Sequence, residues 1–239
     1  MMIAGSHHDV KAHILGVNRT AVNVLGQSMS PVNRELQNLQ EPIAGVSLSQ
    51  MSDLAAAGYL VSPEDYLTAE RLSEIKHEYL AGVVHAMAGT SVDHDRIAVN
   101  ILRELGNQLR GHPCEAFSSD VKVRIESMGS RFYYYPDVTV DCSNARGDSL
   151  FADEPRIVFE VLSPQTERID RAEKLGNYQA ISSLQVYVLV DQFHRFITVY
   201  RRTASSWSNE FLEKSAILEL PEIGCRLPLD LIYERTHAH

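Results

Sequence analysis

Between residues 91 and 110 the apolar positions recur every fourth residue, at Ile97, Ile101, Leu105 and Leu109, with Ala98 and Leu102 widening the stripe. That period predicts one long amphipathic helix over Ser91–Arg110, capped by Ser91 or Asp93 and ended by Gly111. Elsewhere the period is two. Ala116–Ile125 sets Val121, Val123 and Ile125 on one face and Asp120, Lys122 and Arg124 on the other. Phe132–Cys142 alternates around Asp137, and Ile157–Leu162 is nearly all apolar, as a strand buried on both faces would be. Gln185–Asp191 and Phe196–Arg201 read as a further pair of strands joined by Gln192-Phe193-His194-Arg195.

Shorter signals fill the gaps. Ser62-Pro63-Glu64-Asp65 is a helix start, with a capping serine, a proline in the first turn and two acids beside the positive end of the dipole. It predicts a helix over Pro63–Leu72. Lys76–Met87 reads as two short strands about Ala81-Gly82. Asn144–Pro155 is polar and reads as a loop. Thr166–Ala180 reads as a helix capped by Thr166, Ala216–Leu220 as a strand, and Leu227–Tyr233 as a short terminal element. The order helix, strands, helix, strands predicts an α/β (α+β) chain with a mixed central sheet flanked by helices.

Residues 1–60 show no persistent apolar period. Two short helices, Asn33–Leu39 and Ser52–Ala57, are the most this stretch offers. We expect an N-terminal extension over 1–60, poorly ordered or partner-binding, and a folded domain over 61–239.

Of the 239 residues, 22 are basic and 31 acidic, a formal net charge of −9. Residues 1–60 carry three basic against four acidic groups, so nearly all of the excess lies in the folded part. Bulk electrostatics therefore count against non-specific nucleic-acid binding, though not against a local basic groove. Apolar residues, at 44%, exclude a wholly disordered chain. No apolar run approaches the length of a membrane span. Met1–Val10 lacks the basic-then-apolar order of a secretory signal. Cys114, Cys142 and Cys225 are widely spaced and form no metal motif, so three reduced thiols in a cytoplasmic protein are expected.

The chemistry starts at Glu160. A carboxylate inside Ile157-Val158-Phe159-Glu160-Val161-Leu162 is costly unless it is paired, hydrogen-bonded or bound to a metal. Asp137 poses the same question in the neighbouring strand. If the two strands pair, both acids meet at one end of the sheet, as a hard divalent cation would require; the alternative is an internal partner, a buried Arg or Lys.

Tyr135-Pro136-Asp137-Val138 followed by Phe159-Glu160-Val161-Leu162-Ser163-Pro164 resembles the PD-(D/E)XK nuclease superfamily. The wider match is to the Uma family of restriction-endonuclease-like proteins. It includes His77-Glu78-Tyr79-Leu80-Ala81-Gly82-Val83-Val84, Ser118-Ser119-Asp120-Val121, the segment Ser163–Lys174 with Thr166, Asp170 and Lys174, and Val186-Tyr187-Val188-Leu189-Val190-Asp191. The likeness runs over roughly residues 61–203. It implies a restriction-endonuclease-like core, phosphodiester hydrolysis in DNA, and Mg2+ or Mn2+ held by Asp137 and Glu160 with Glu78 as a further acid. A lysine would stabilise developing charge or orient the attacking water. The superfamily places that lysine two residues after the glutamate, where this chain has Leu162. Lys174 is the first candidate to replace it and Lys122 the second.

Other residues remain open. Asp170 shares a helix face with Lys174 and could pair with it. Asp120 accompanies Lys122. His94, at the start of the long helix, could approach a phosphate or stand exposed. Arg168 and Arg171 could touch phosphates, and Tyr133-Tyr134-Tyr135 could stack on bases or enter a core. His112, His194, His237 and His239 have no metal-ligand spacing. Three functions follow for comparison: a metal-dependent endonuclease, plausibly a homodimer because two strands need two sites; a non-catalytic binding or regulatory protein on the same fold; and a structural oligomer whose acids are paired internally.

Overall fold

The computed structural model describes residues 47, 48, 51, 59–164 and 167–239. The expected helices at Asn33–Leu39 and Ser52–Ala57 and the Thr166 cap lie outside the described residues. Leu48 and Met51 are buried against Val61, Tyr66, Tyr79, Val84 and Tyr133.

Helix α1 (Pro63–Glu70) starts as expected, with Ser62 Oγ accepting the Asp65 N–H at 3.1 Å. It ends two residues early, and Leu72 stands exposed in a turn. β1 (His77–Leu80) and β2 (Val83–Ala86) form the expected hairpin. Both turn residues take positive φ, 50° at Ala81 and 103° at Gly82, and a Cβ on Gly82 would sit 2.9 Å from that of Leu60.

α2 (Val92–Gln108) is capped by Ser91, not Asp93: Ser91 Oγ accepts the His94 N–H at 3.1 Å. It buries Ile97, Ile101 and Leu105 against a six-stranded sheet of order β11-β10-β9-β8-β6-β3. In that sheet β8 (Pro155–Leu162) and β9 (Val186–Asp191) are parallel, and all other neighbours, β10 (Phe196–Arg202) included, are antiparallel. A five-stranded sheet, β2-β1-β5-β4-β7, packs against it. One buried cluster holds Val123, Ile125 and Tyr134 from this second sheet with Val158, Leu162, Tyr187 and Leu189 from the first. The fold class is as expected, with two mixed sheets in place of one.

That difference has a local cause. Two segments that read as single alternating strands each break in the middle and pass from one sheet to the other. Ala116–Ile125 becomes β3 (Glu115–Ser118) and β4 (Lys122–Ser127) about Ser119-Asp120. Phe132–Cys142 becomes β5 (Ser130–Tyr134) and β6 (Val138–Asp141) about Tyr135-Pro136-Asp137. Strand-like composition continues through both crossings and so does not reveal them. Proline, which has no N–H to give to a ladder, does mark the second.

Three more elements go beyond the expected set. β7 (Phe151–Ala152) interrupts the loop 144–155 and pairs parallel with β4. β11 (Trp207–Glu213) is an edge strand whose exposed Ser208, Asn209 and Glu210 hid it. β13 (Cys225–Pro228) pairs with the expected strand β12 (Ile217–Leu220), ahead of the expected terminal element, the short helix α5 (Leu229–Ile232). The helix after β8 runs as α3 (Glu167–Ile169), a π-helical turn (Asp170–Lys174) and α4 (Leu175–Gln179).

The expectation of three reduced thiols is corrected: Cys114 and Cys142 form a disulfide. Antiparallel pairing sets Glu115 opposite Asp141, so the cysteines just outside that pair face each other with Cα atoms 4.1 Å apart. Cys225 is free and buried. Among the described residues no helix is long and apolar enough to cross a membrane.

Candidate active site

Pairing of β6 with β8 sets Val138 opposite Phe159, which places Asp137 and Glu160 at one end of the sheet beside the crossing of β5 into β6. Asp137 turns its side chain inward, and its Oδ2 accepts the Val161 N–H at 2.7 Å. Glu160 is only 4% exposed. Its Oε1 accepts from Lys174 Nζ at 3.1 Å and from the Tyr178 hydroxyl at 3.0 Å.

Lys174 is the hub. Its ammonium lies 3.0 Å from Glu78 Oε1, 3.1 Å from Glu160 Oε1 and 3.3 Å from Asp170 Oδ1. The π-helical turn supplies both Asp170 and Lys174 to this interior and leaves Arg171 and Glu173 outward. β1 supplies Glu78, held also by the Tyr135 N–H at 3.3 Å. Thus three acids from three elements share one lysine, with Asp137 beside them.

The electrostatics follow from that ratio. Burial pushes the Glu160 carboxyl well above its ordinary range; Lys174 opposes this, but Asp170, Asp137 and Glu78 add to it. Burial likewise raises Asp137, against His94, the Val161 N–H and Lys174. For Lys174 burial alone would lower the pKa, yet Glu160, Glu78 and Asp170 together hold it well above the usual lysine range. The lysine is held charged, and the acids around it outnumber it, so burial favours the protonated form of Glu160 and Asp137.

His94 is not an exposed helix-start residue. It is 5% exposed, with Nε2 3.5 Å from Asp137 Oδ2. Its position is set by the Ser91 cap, and the Ser91 hydroxyl donates to Gln192 Oε1 at 2.8 Å. Gln192 in turn donates to the Leu162 carbonyl at 2.8 Å, closing the end of β8.

Lys122, the second candidate lysine, does not join these acids. It is buried in a neighbouring cluster, with Nζ donating to the Tyr135 hydroxyl at 2.8 Å, and burial lowers its pKa. Asp120 is exposed and pairs with Lys76 at 2.6 Å. The tyrosines are occupied too: Tyr133 stacks with Tyr66, Tyr134 accepts from the Asn177 amide, and Tyr135 bonds Glu70. Arg171 pairs with Glu167 on the outer face.

A sequence profile described as "Uma2: Putative restriction endonuclease" matches residues 63–230. The chain belongs to the Uma2 family. Two relatives come from Synechocystis sp. (strain ATCC 27184 / PCC 6803 / Kazusa). "Uncharacterized protein slr1290" is 37% identical over 72% of this chain and 91% of its own length. "Uncharacterized protein sll1609" is 30% identical over 62% of this chain and 85% of its own. A crystal structure described as "a putative nuclease belonging to DUF820" from Anabaena variabilis ATCC 29413 superposes with a TM-score of 0.58, at 17% identity, over 71% of this chain and 96% of that one. At that identity the likeness concerns the fold, which is restriction-endonuclease-like.

Within this Uma2 chain the donor set suits a hard cation. Among the described residues no three acids, imidazoles or thiols converge at metal-ligand spacing. Magnesium asks for less, since it binds through one or two carboxylates and keeps several waters. Asp137 and Glu160, side by side at one end of the sheet, are the two carboxylates that could hold such a cation.

Sequence reading passed over Tyr178 and Gln192. The first had a signal: Asp170, Lys174 and Tyr178 recur at four-residue intervals and so share a helix face. Gln192 had none, because its partners Ser91 and Leu162 lie far away in sequence.

Proposed function

We propose that this chain is a divalent-metal-dependent nuclease that hydrolyses phosphodiester bonds in DNA. The observation that supports it is the convergence of Glu160 and Glu78 on Lys174, with Asp137 held by the Val161 N–H next to Glu160 where β5 crosses into β6. This arrangement supports the two-carboxylate-and-lysine chemistry of the superfamily, with Lys174 in place of the lysine that Leu162 displaces. Asp137 and Glu160 are the residues that would hold the cation. When bound, Mg2+ or Mn2+ supplies charge to polarise the phosphate and to lower the pKa of an attacking water.

The chain's own groups do the rest. Lys174, kept charged by its carboxylate partners, is a fixed cation beside the phosphate rather than a base. Its reach depends on the π-helical turn, which replaces the direct strand position lost to Leu162. Glu78 is pinned by the Tyr135 N–H and Lys174, so it orients the ammonium. His94 and the Val161 N–H both address Asp137 Oδ2 and fix that carboxylate's rotamer. A cut through both strands requires two such sites, so a homodimer belongs to the same reading.

One observation favours the second reading, a non-catalytic DNA-binding or regulatory protein. Lys174 is already engaged by three carboxylates, as in a closed internal ion-pair cluster. Cleavage of supercoiled plasmid with Mg2+, Mn2+ or chelator, with Asp137→Asn and Glu160→Gln beside wild type, separates the two. Metal-dependent nicking lost in both variants is the expected result. Cleavage surviving both substitutions would sink the nuclease assignment at this site, and none from wild type would favour the binding protein.

A further inference from the structure

Beside the Lys174 cluster lies a second buried polar cluster with no part in the scheme above. Glu70, His77, Lys122 and Tyr135 are each no more than 8% exposed. Glu70 closes α1, where the negative end of the helix dipole disfavours a carboxylate. Three donors hold it there. The His77 N–H reaches Oε1 at 3.1 Å, the His77 ring Nδ1 lies 3.2 Å from Oε2, and the Tyr135 hydroxyl donates to Oε1 at 2.6 Å. Lys122 donates to that same hydroxyl at 2.8 Å, so the positive charge reaches Glu70 through the tyrosine. Lys76, at the rim, lies 5.7 Å from the Tyr135 ring and pairs with Asp120.

The placement of these residues gives the cluster its meaning. Tyr135 belongs to both clusters: its hydroxyl joins Lys122 to Glu70, and its main-chain N–H donates to Glu78. It stands two residues before Asp137, with only the φ-restricted Pro136 between. His77 immediately precedes Glu78. Lys122 is the first residue of β4, just beyond the other crossing. The cluster thus ties together α1, the start of β1 and both segments that pass between the sheets. Three of its members sit within two residues of a candidate site acid or of a crossing.

We infer that Glu70, Tyr135 and Lys122 form a positioning network that sets the placement of Asp137 and Glu78. The inference rests on the nuclease reading above. A buried polar network is a weak source of stability, because well-packed apolar groups of similar volume often do as well. It does fix geometry, and displacing the groups behind metal-binding acids typically costs 10- to 100-fold in metal affinity or activity. The roles are those of positioning residues: none touches the phosphate.

Tyr135→Phe is the decisive variant, since it deletes one oxygen and keeps the ring. In the full chain we expect the single-turnover nicking rate and the Mn2+ affinity by calorimetry to fall about 10- to 100-fold. DNA affinity should stay unchanged and the protein should stay folded at the assay temperature. Lys122→Met should lower the rate similarly, and the double variant should be no worse than Tyr135→Phe alone, because both break one chain of bonds. If Lys122→Met fails to fold, Tyr135→Phe decides by itself. A Tyr135→Phe protein with wild-type rate and Mn2+ affinity overturns the network while leaving the nuclease reading intact. So does a loss that tracks only the unfolded fraction. A wild-type chain that neither nicks DNA nor binds Mn2+ overturns both together.

Discussion

Glu160 and Lys174 set the terms at the scale of single residues. A glutamate buried in an otherwise apolar strand is tolerable because an ammonium and a tyrosine hydroxyl meet it, yet the three other acids leave it under-compensated. Its raised pKa carries a sign for stability. Between the ordinary glutamate range and the raised folded value, the unfolded chain has lost this proton while the folded chain keeps it. Stability therefore falls as pH rises through that window, and the loss is complete above the folded value. Glu160→Gln should accordingly melt higher than wild type at pH 8 without divalent metal, and the difference should vanish near pH 4. Melting curves with the same pH profile for both proteins would contradict this. Lys174→Met tests the other partner. Glu78, Glu160 and Asp170 would then share no cation, and a cost of about 3–5 kcal/mol is expected from the abandoned buried charge. Mg2+ should recover part of it by binding only the folded form. Urea midpoints with and without Mg2+ report both, and a midpoint indifferent to Mg2+ argues against a cation site.

Elements matter through their ends. α2 carries the long apolar stripe, but its contribution to the site comes from one cap. Ser91 closes the N-terminus, fixes His94 beside Asp137 and bonds Gln192. Ser91→Ala should cost about 1 kcal/mol in stability, the usual worth of a serine cap. It should also slow the proposed nicking reaction, whereas the cap at Ser62, which feeds only α1, should affect stability alone. Equal nicking rates in the two variants would separate α2's cap from the site. Edge strand β3 depends on a covalent tie. Replacing Cys114 and Cys142 by serine should lower the free energy of unfolding by about 2–4 kcal/mol, read from urea titration, by freeing the loop they close.

At the scale of the whole molecule, the two sheets share an apolar cluster and two chain crossings, although each also packs a cluster of its own. Calorimetry should show one transition whose calorimetric and van't Hoff enthalpies agree. Two resolved transitions would mean that the sheets unfold separately. The architecture also explains the location of the candidate site. Crossings interrupt ladders, and interrupted ladders free side chains and main-chain groups near the surface of an otherwise sealed sheet. Both crossings lie beside the candidate acids, and so do the turns that make them, Ser119-Asp120 and Tyr135-Pro136-Asp137.

Local pattern by itself determined much of this chain. The four-residue stripe of α2, the capping serine of α1, the Ala81-Gly82 turn and the apolar run of β8 depend on near neighbours, whose physics sequence displays directly. So did the anomaly of Glu160, since a charge in an apolar strand stands out without coordinates. Tertiary structure decided what that charge meets. Lys174 rather than Lys122 reaches Glu160 because a π-helical turn aims it there, and Lys122 is diverted by Tyr135. The sheet crossings, the disulfide, the burial of His94 and the Gln192 link each join residues distant in sequence or break a stretch of strand-like composition. Periodicity records which face a side chain takes, but not which sheet its strand joins, because that choice is made by pairing partners elsewhere in the chain.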